Sequence, residues 1–113
     1  MSDQPITCRD FIAGMPLAFN AEAAGDLKAT FYFKVSGDEP GDYTLTIQNG
    51  DCTFSEGIPE NADLTIETPS DVWTAISTGK MNGQTAFMQG KYKANGNFHL
   101  LLKMTSLFST KTD

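Results

Sequence analysis

From Leu27 the hydrophobic period of the chain changes from helix-like to two. Leu27, Ala29, Phe31, Phe33 and Val35 alternate with Lys28, Thr30, Tyr32, Lys34 and Ser36, as in a strand with one buried face. After the loop Ser36-Gly37-Asp38-Glu39-Pro40-Gly41, the residues Tyr43, Leu45 and Ile47 alternate with Thr44, Thr46 and Gln48. Asn49-Gly50 is a strong hairpin signal that sends the chain back through Cys52 and Phe54. Gly57 to Asn61 turns again into Ala62, Leu64 and Ile66. Four consecutive strands of this kind form, most simply, an antiparallel meander with one apolar and one polar face.

An apolar sheet face needs cover, and helical patterns flank the strands. Ile6-Thr7-Cys8-Arg9-Asp10-Phe11 reads as a helix start. Thr7 and Asp10 have capping-box spacing, and Ile6 and Phe11 are placed as a hydrophobic staple. That helix is expected to reach about Phe19, bent or interrupted at Gly14 and Pro16. Asn20 to Gly25 reads as one further turn. Beyond the strands, Thr68-Pro69-Ser70-Asp71 supplies an N-cap, a proline at the first helical position and an acid. Val72, Trp73 and Ile76 then form an apolar side that stops at Gly79.

The next stretch, Gly79 to Gly96, is punctuated by four glycines. Asn82 caps a helix of barely two turns carrying Ala86, Phe87 and Met88, which ends at Gly90. A helix that short stands only if packing holds it. Lys91 to Ala94 reads as a short strand turned by Asn95-Gly96, and Asn97 caps a last helix through Phe108. The fold class is therefore α+β, with helices covering the apolar face of a sheet to which one late strand is added. At 113 residues this is one domain with room for a single core.

The last helix has more apolar positions than one sheet needs. Phe98, Leu101 and Leu102 share one side, running toward Phe108, and Leu100, Met104 and Leu107 form another. The second side must meet neighbouring helices, another protein chain or an apolar ligand. Met15, Met81, Met88 and Met104 add adaptable thioether surface, which suits a variable guest and equally fills irregular gaps in a core.

The net charge of −6 is unevenly placed. Thirteen of the fourteen acids lie before residue 72, with Arg9, Lys28 and Lys34, whereas Asp113 alone faces Lys80, Lys91, Lys93, Lys103 and Lys111 afterwards. The acidic body argues against nucleic-acid binding. The basic end either attracts an anionic head group or membrane surface, or solubilises an apolar segment. No apolar run is long enough to span a bilayer, and Met-Ser-Asp-Gln-Pro lacks the regions of a signal peptide, so a soluble, cytoplasmic protein is expected. Cys8 and Cys52 are expected to be free thiols in that setting.

Catalytic signatures are missing from the pattern. His99 is the only histidine and two distant cysteines do not fit zinc spacing, so neither metal nor cofactor is expected. The carboxylates fall mostly in loops and caps, without a pairing that suggests acid–base work. Gly79-Lys80 and Gly90-Lys91 lack the spacing and the following Ser or Thr of a phosphate loop.

In the order of these elements, Ala62-Asp63-Leu64-Thr65-Ile66, Gly79-Lys80-Met81-Asn82, Gln84-x-Ala86-Phe87-Met88-x-Gly90-Lys91-Tyr92-Lys93 and Gly96-Asn97 fall in register with one known pattern. The chain resembles the sterol carrier protein 2 family over about residues 7–108. Phe19-Asn20-x-Glu22-Ala23-Ala24-Gly25 and Ala29-Thr30-Phe31 look like its small stand-alone prokaryotic members. The resemblance implies a five-stranded, mostly antiparallel sheet with helices over one face, enclosing a hydrophobic tunnel for sterols, fatty acids, fatty acyl-CoA or phospholipids. It implies non-catalytic lipid binding and transfer, or use as a dimerising module. This chain departs from the family in having Gly83 where Pro is common. Its Lys111-Thr112-Asp113 end is also not a peroxisomal signal.

The expected ligand-binding positions are Phe33, Trp73, Ile76, Phe87, Met88, Leu101, Met104, Leu107 and Phe108, each either lining such a tunnel or filling the core beside it. The expected partner is a lipid or other long-chain apolar ligand, with transient membrane contact and a homodimer as further possibilities. The alternative is a dimerising or protein-interaction module without a cavity.

Overall fold

The structure, a computed structural model, describes residues 8–108. The expected capping residues Ile6 and Thr7 lie outside the described residues. Helix α1 (Cys8–Gly14) gives way at Pro16 to a 3-10 turn (Met15–Ala18), then to α2 (Ala21–Ala24). Strands β1 (Ala29–Ser36), β2 (Gly41–Gln48), β3 (Asp51–Glu56) and β4 (Leu64–Pro69) follow. After them come α3 (Ser70–Ser77), α4 (Gly83–Met88), β5 (Lys93–Gly96) and α5 (Phe98–Leu107).

The five strands form one sheet in the order β3-β2-β1-β4-β5. β1–β2, β2–β3 and β4–β5 pair antiparallel, and the β2–β3 hairpin turns on Asn49 (φ 54°) and Gly50 (φ 78°). Two positive φ values suit the right-handed twist of the flanking strands, which is why Asn-Gly stands there. The four-strand meander is corrected at β4. It does not pair with β3 but crosses to the free side of β1 and runs parallel to it, with Phe31 opposite Leu64 and Phe33 opposite Ile66.

Alternation fixes which face of a strand is buried and leaves its neighbour open. The parallel register is pinned by polar bonds at Asp63. Its N–H donates to Thr30 O (2.8 Å), its Oδ2 accepts from Thr30 N–H (2.8 Å), and its O accepts from Asn97 N–H (2.8 Å).

The alternating apolar positions of the strands share one face, with Phe31, Phe33, Leu45, Leu64 and Ile66 fully buried. Helices cover it through Ile12, Trp73, Ala86, Leu100, Leu107 and Phe108. The opposite face carries Lys34, Thr46, Ser55, Glu67 and Lys93. Asparagine caps start three of the helices as expected: Asn20 accepts from Glu22 and Ala23 N–H, Asn82 from Thr85 N–H and Asn97 from His99 N–H.

Two boundaries differ from expectation. Thr68 does not cap α3, because β4 runs through Pro69 and the Thr68 hydroxyl donates to Pro69 O at 3.0 Å. The late strand starts at Lys93 and includes Asn95 and Gly96, since Gly96 pairs with Leu64 rather than turning the chain.

Candidate functional site

Phe33 faces inward from the middle of β1 because the alternation puts it there. α3 begins directly where β4 ends, which brings Trp73 back over β1, its ring 5.2 Å from that of Phe33. Tyr92, just ahead of β5, meets Trp73 edge-on at 6.0 Å. Its hydroxyl donates to Gly83 O (3.1 Å) and so ties the start of α4 to the sheet edge. Phe87 of α4 lies 5.6 Å from Tyr92 and 6.2 Å from Phe98 at the head of α5. The five rings form a continuous run from the fully buried Phe33 to Phe98, which is 50% exposed. A second aromatic contact closes the far end, where Phe108 lies 6.3 Å from Phe31 and 5.9 Å from Phe19.

Of the nine expected positions, Phe33, Trp73, Leu107 and Phe108 are buried in the core. Ile76, Phe87, Leu101 and Met104 are half-buried against it. Met88 points outward and is 84% exposed. The surplus on α5 is resolved by side: Leu100 and Leu107 are buried with Met104 beside them, while Phe98 and Leu102 face outward. Sequence reasoning passed over Tyr92, read only as part of a strand, and Phe98, read only as part of a helix side. The signal for both was their position close to the element boundaries that Gly90 and Asn97 mark.

The indole Nε1 of Trp73 is buried and has no hydrogen-bond partner among the described residues. An orphaned N–H in an apolar core is uncommon, since buried donors are nearly always paired. Burial also pushes the Tyr92 hydroxyl pKa up. Of two open clefts, about 240 Å³ and about 400 Å³, the first reaches the aromatic run at Tyr92 and the second lies apart from it. The first is lined by residues including Ser36, Glu67 and Lys93, the second by residues including Glu39, Asp71 and Lys80, and none of the nine expected positions lines either.

Among the described residues no group of three or more His, Cys, Asp or Glu side chains is placed to hold a metal ion. Cys8 and Cys52 are free thiols. Among the described residues no helix is long and apolar enough to cross a membrane.

The sequence model of the SCP-2 sterol transfer family matches residues 17–109. The chain belongs to that family. Sterol carrier protein 2 from Bos taurus is 39% identical over 80 residues, covering 68% of this chain and 15% of the bovine protein. Hydroxysteroid dehydrogenase-like protein 2 from Xenopus tropicalis is 34% identical over 89 residues, 78% of this chain and 21% of that protein. This SCP-2 family chain thus spans about a fifth or less of the curated relatives it matches. Its fold is that of palmitated SCP2L2 from Aedes aegypti, solved in solution, with a TM-score of 0.75 at 15% identity, covering 94% of this chain and 95% of the other.

Proposed function

We propose that this chain is a single lipid-carrying domain of the cytoplasm, which binds and transfers a sterol, fatty acid, fatty acyl-CoA or phospholipid and performs no chemistry on it. The observation that carries this reading is the aromatic run from Phe33 to Phe98, which joins the interior to the surface through Trp73, Tyr92 and Phe87. Family membership supports it, as does the presence of palmitate in a protein of the same fold. The unpaired Trp73 N–H supports it as well, because a hydroxyl or carbonyl on a bound lipid would satisfy that donor.

The ligand is taken up between the sheet and the helices. Phe33, Trp73, Ile76, Phe87, Leu101, Met104, Leu107 and Phe108 form its walls, and Met88 lies at the rim. Burying a methylene contributes about 0.8 kcal/mol, so a ten-carbon segment gains about 8 kcal/mol before ordering costs. Admitting such a segment requires α4 and α5 to part, and α4, at six residues, is too short to be stable except by packing.

Native mass spectrometry and displacement of a fluorescent fatty acid test the proposal. Trp73, the only tryptophan, serves as a built-in reporter of occupancy. The expected result is one lipid per chain and a change in Trp73 emission on binding. Protein that stays lipid-free and displaces no probe from any of the four ligand classes overturns it. A second reading, a dimerising module without a ligand, draws on the outward-facing Phe98 and Leu102. Sedimentation at low concentration separates the two, since only the second requires a dimer.

A further inference from the structure

Among the described residues, the indole Nε1 of Trp73 is the one buried side-chain nitrogen or oxygen that has no hydrogen-bond partner. Trp73 is only 6% exposed, so bulk water does not satisfy the donor. The buried hydroxyls of Thr44, Thr68 and Tyr92 are all engaged, donating to Gly57 O, Pro69 O and Gly83 O. The rings beside the indole, Phe33 at 5.2 Å and Tyr92 at 6.0 Å, offer at most a π face, a weak acceptor next to an oxygen. Charge is the second observation. Every Lys, Arg and His among the described residues is exposed, so no cation lies in the interior with Trp73. An ionised carboxylate or phosphate brought against the indole would be a buried charge without a counter-ion, and one N–H does not offset that. An uncharged carbonyl is different. It brings no proton of its own, and a single donor satisfies it.

We infer that Trp73 is a specificity-determining residue, whose Nε1–H donates to an uncharged carbonyl oxygen, so that a long-chain ester or ketone is held in preference to the ionised fatty acid of the same length. The ester or ketone places its oxygen in the interior, at the indole. The ionised acid is held by its chain alone and leaves its carboxylate in water. This selectivity rests on the carriage proposed above and adds to it the chemistry of the buried end of the ligand.

Methyl dodecanoate and dodecanoate, which share a chain and a carbonyl but differ in charge, test the inference at a mildly alkaline pH that keeps the acid ionised. Trp73 is the only tryptophan, so its indole N–H gives a single signal in the nitrogen–proton spectrum of the labelled protein. The expected result is a downfield move of that signal in both dimensions with the ester, the mark of donation to oxygen, and none with dodecanoate. Competition against one fluorescent probe gives the two affinities, and the ester is expected to bind at least about tenfold more tightly. Trp73→Phe is expected to weaken ester binding about five- to tenfold and to leave dodecanoate binding within about twofold. A merely structural role for the ring would weaken both ligands alike. Should Trp73→Phe fail to fold, the indole signal of the wild-type protein decides alone. Binding of both ligands with no downfield move from the ester, with equal affinities, or with a Trp73→Phe loss shared by both overturns the selectivity and leaves carriage standing. If neither ligand binds, carriage falls and the selectivity falls with it.

Discussion

Gly96 takes φ +117°, and a Cβ there would lie 2.4 Å from the Asp63 carbonyl oxygen. Both the backbone conformation and the close approach of β4 demand glycine. Gly96→Ala is therefore expected to cost more than about 2 kcal/mol, while Asn95→Ala beside it stays within about 0.5 kcal/mol, both read from urea unfolding. Trp73 gives a different residue-scale test. Trp73→Phe keeps a ring against Phe33 and Tyr92 and removes the unpaired donor, so it should cost no more than about 1.5 kcal/mol. Trp73→Ala should cost about 3–5 kcal/mol. At this scale the sequence announced that Gly96 is special but not why. A glycine after asparagine reads as a turn, and the approach of β4 is a long-range fact that no local spacing encodes. The nine candidate positions were legible as apolar, yet Met88 and Phe87 are neighbours with opposite fates because six residues of helix leave little periodicity to read.

α4 owes its existence to its surroundings: the Asn82 cap, the buried Ala86 and the bond from Tyr92 to Gly83 O. Gly83 has an ordinary negative φ, and a Cβ there would meet only Ile76 Cγ2 at 3.6 Å. Asn82 before it is already extended (φ −81°, ψ 127°), as a residue preceding proline must be. Gly83→Pro at the first helical position should therefore stabilise the protein by about 0.4–1 kcal/mol. It should also slow amide exchange in α4 and, if α4 parts to admit lipid, slow uptake. Asn97→Ala removes the α5 cap and should cost about 1 kcal/mol, seen as a lower urea midpoint. Element starts were legible because an asparagine cap is a local chemical requirement. The parallel pairing of β1 with β4 was not, because period-two alternation is identical for either neighbour and either direction. The deciding bonds belong to one polar residue, Asp63, inside an otherwise featureless loop.

Across the whole molecule, the ionisable groups with large shifts work against high pH. Burial, with the charge of Glu39 adding and a hydrogen bond with Thr74 opposing, pushes the Cys8 thiol from 9.0 to about 11. Burial alone takes Cys52 from 9.0 to about 11. The folded chain thus holds these protons more tightly than the unfolded one. Their stabilisation is complete below pH 9 and is lost as the pH rises through about 11. Melting temperature should fall across that window, and less steeply in Cys8→Ala/Cys52→Ala. The charge division between the two parts of the chain was plain in the composition. The placement of β4 has a consequence for biosynthesis. Until β4 has been made, β1 can hydrogen-bond only to β2, and its other edge waits for a partner more than thirty positions downstream. The greasy side of the sheet stays uncapped until Leu107 and Phe108 emerge to seal it against Phe19 and Phe31. A nascent chain of this design completes its fold only once α5 has emerged, and until then it is a natural client for chaperones.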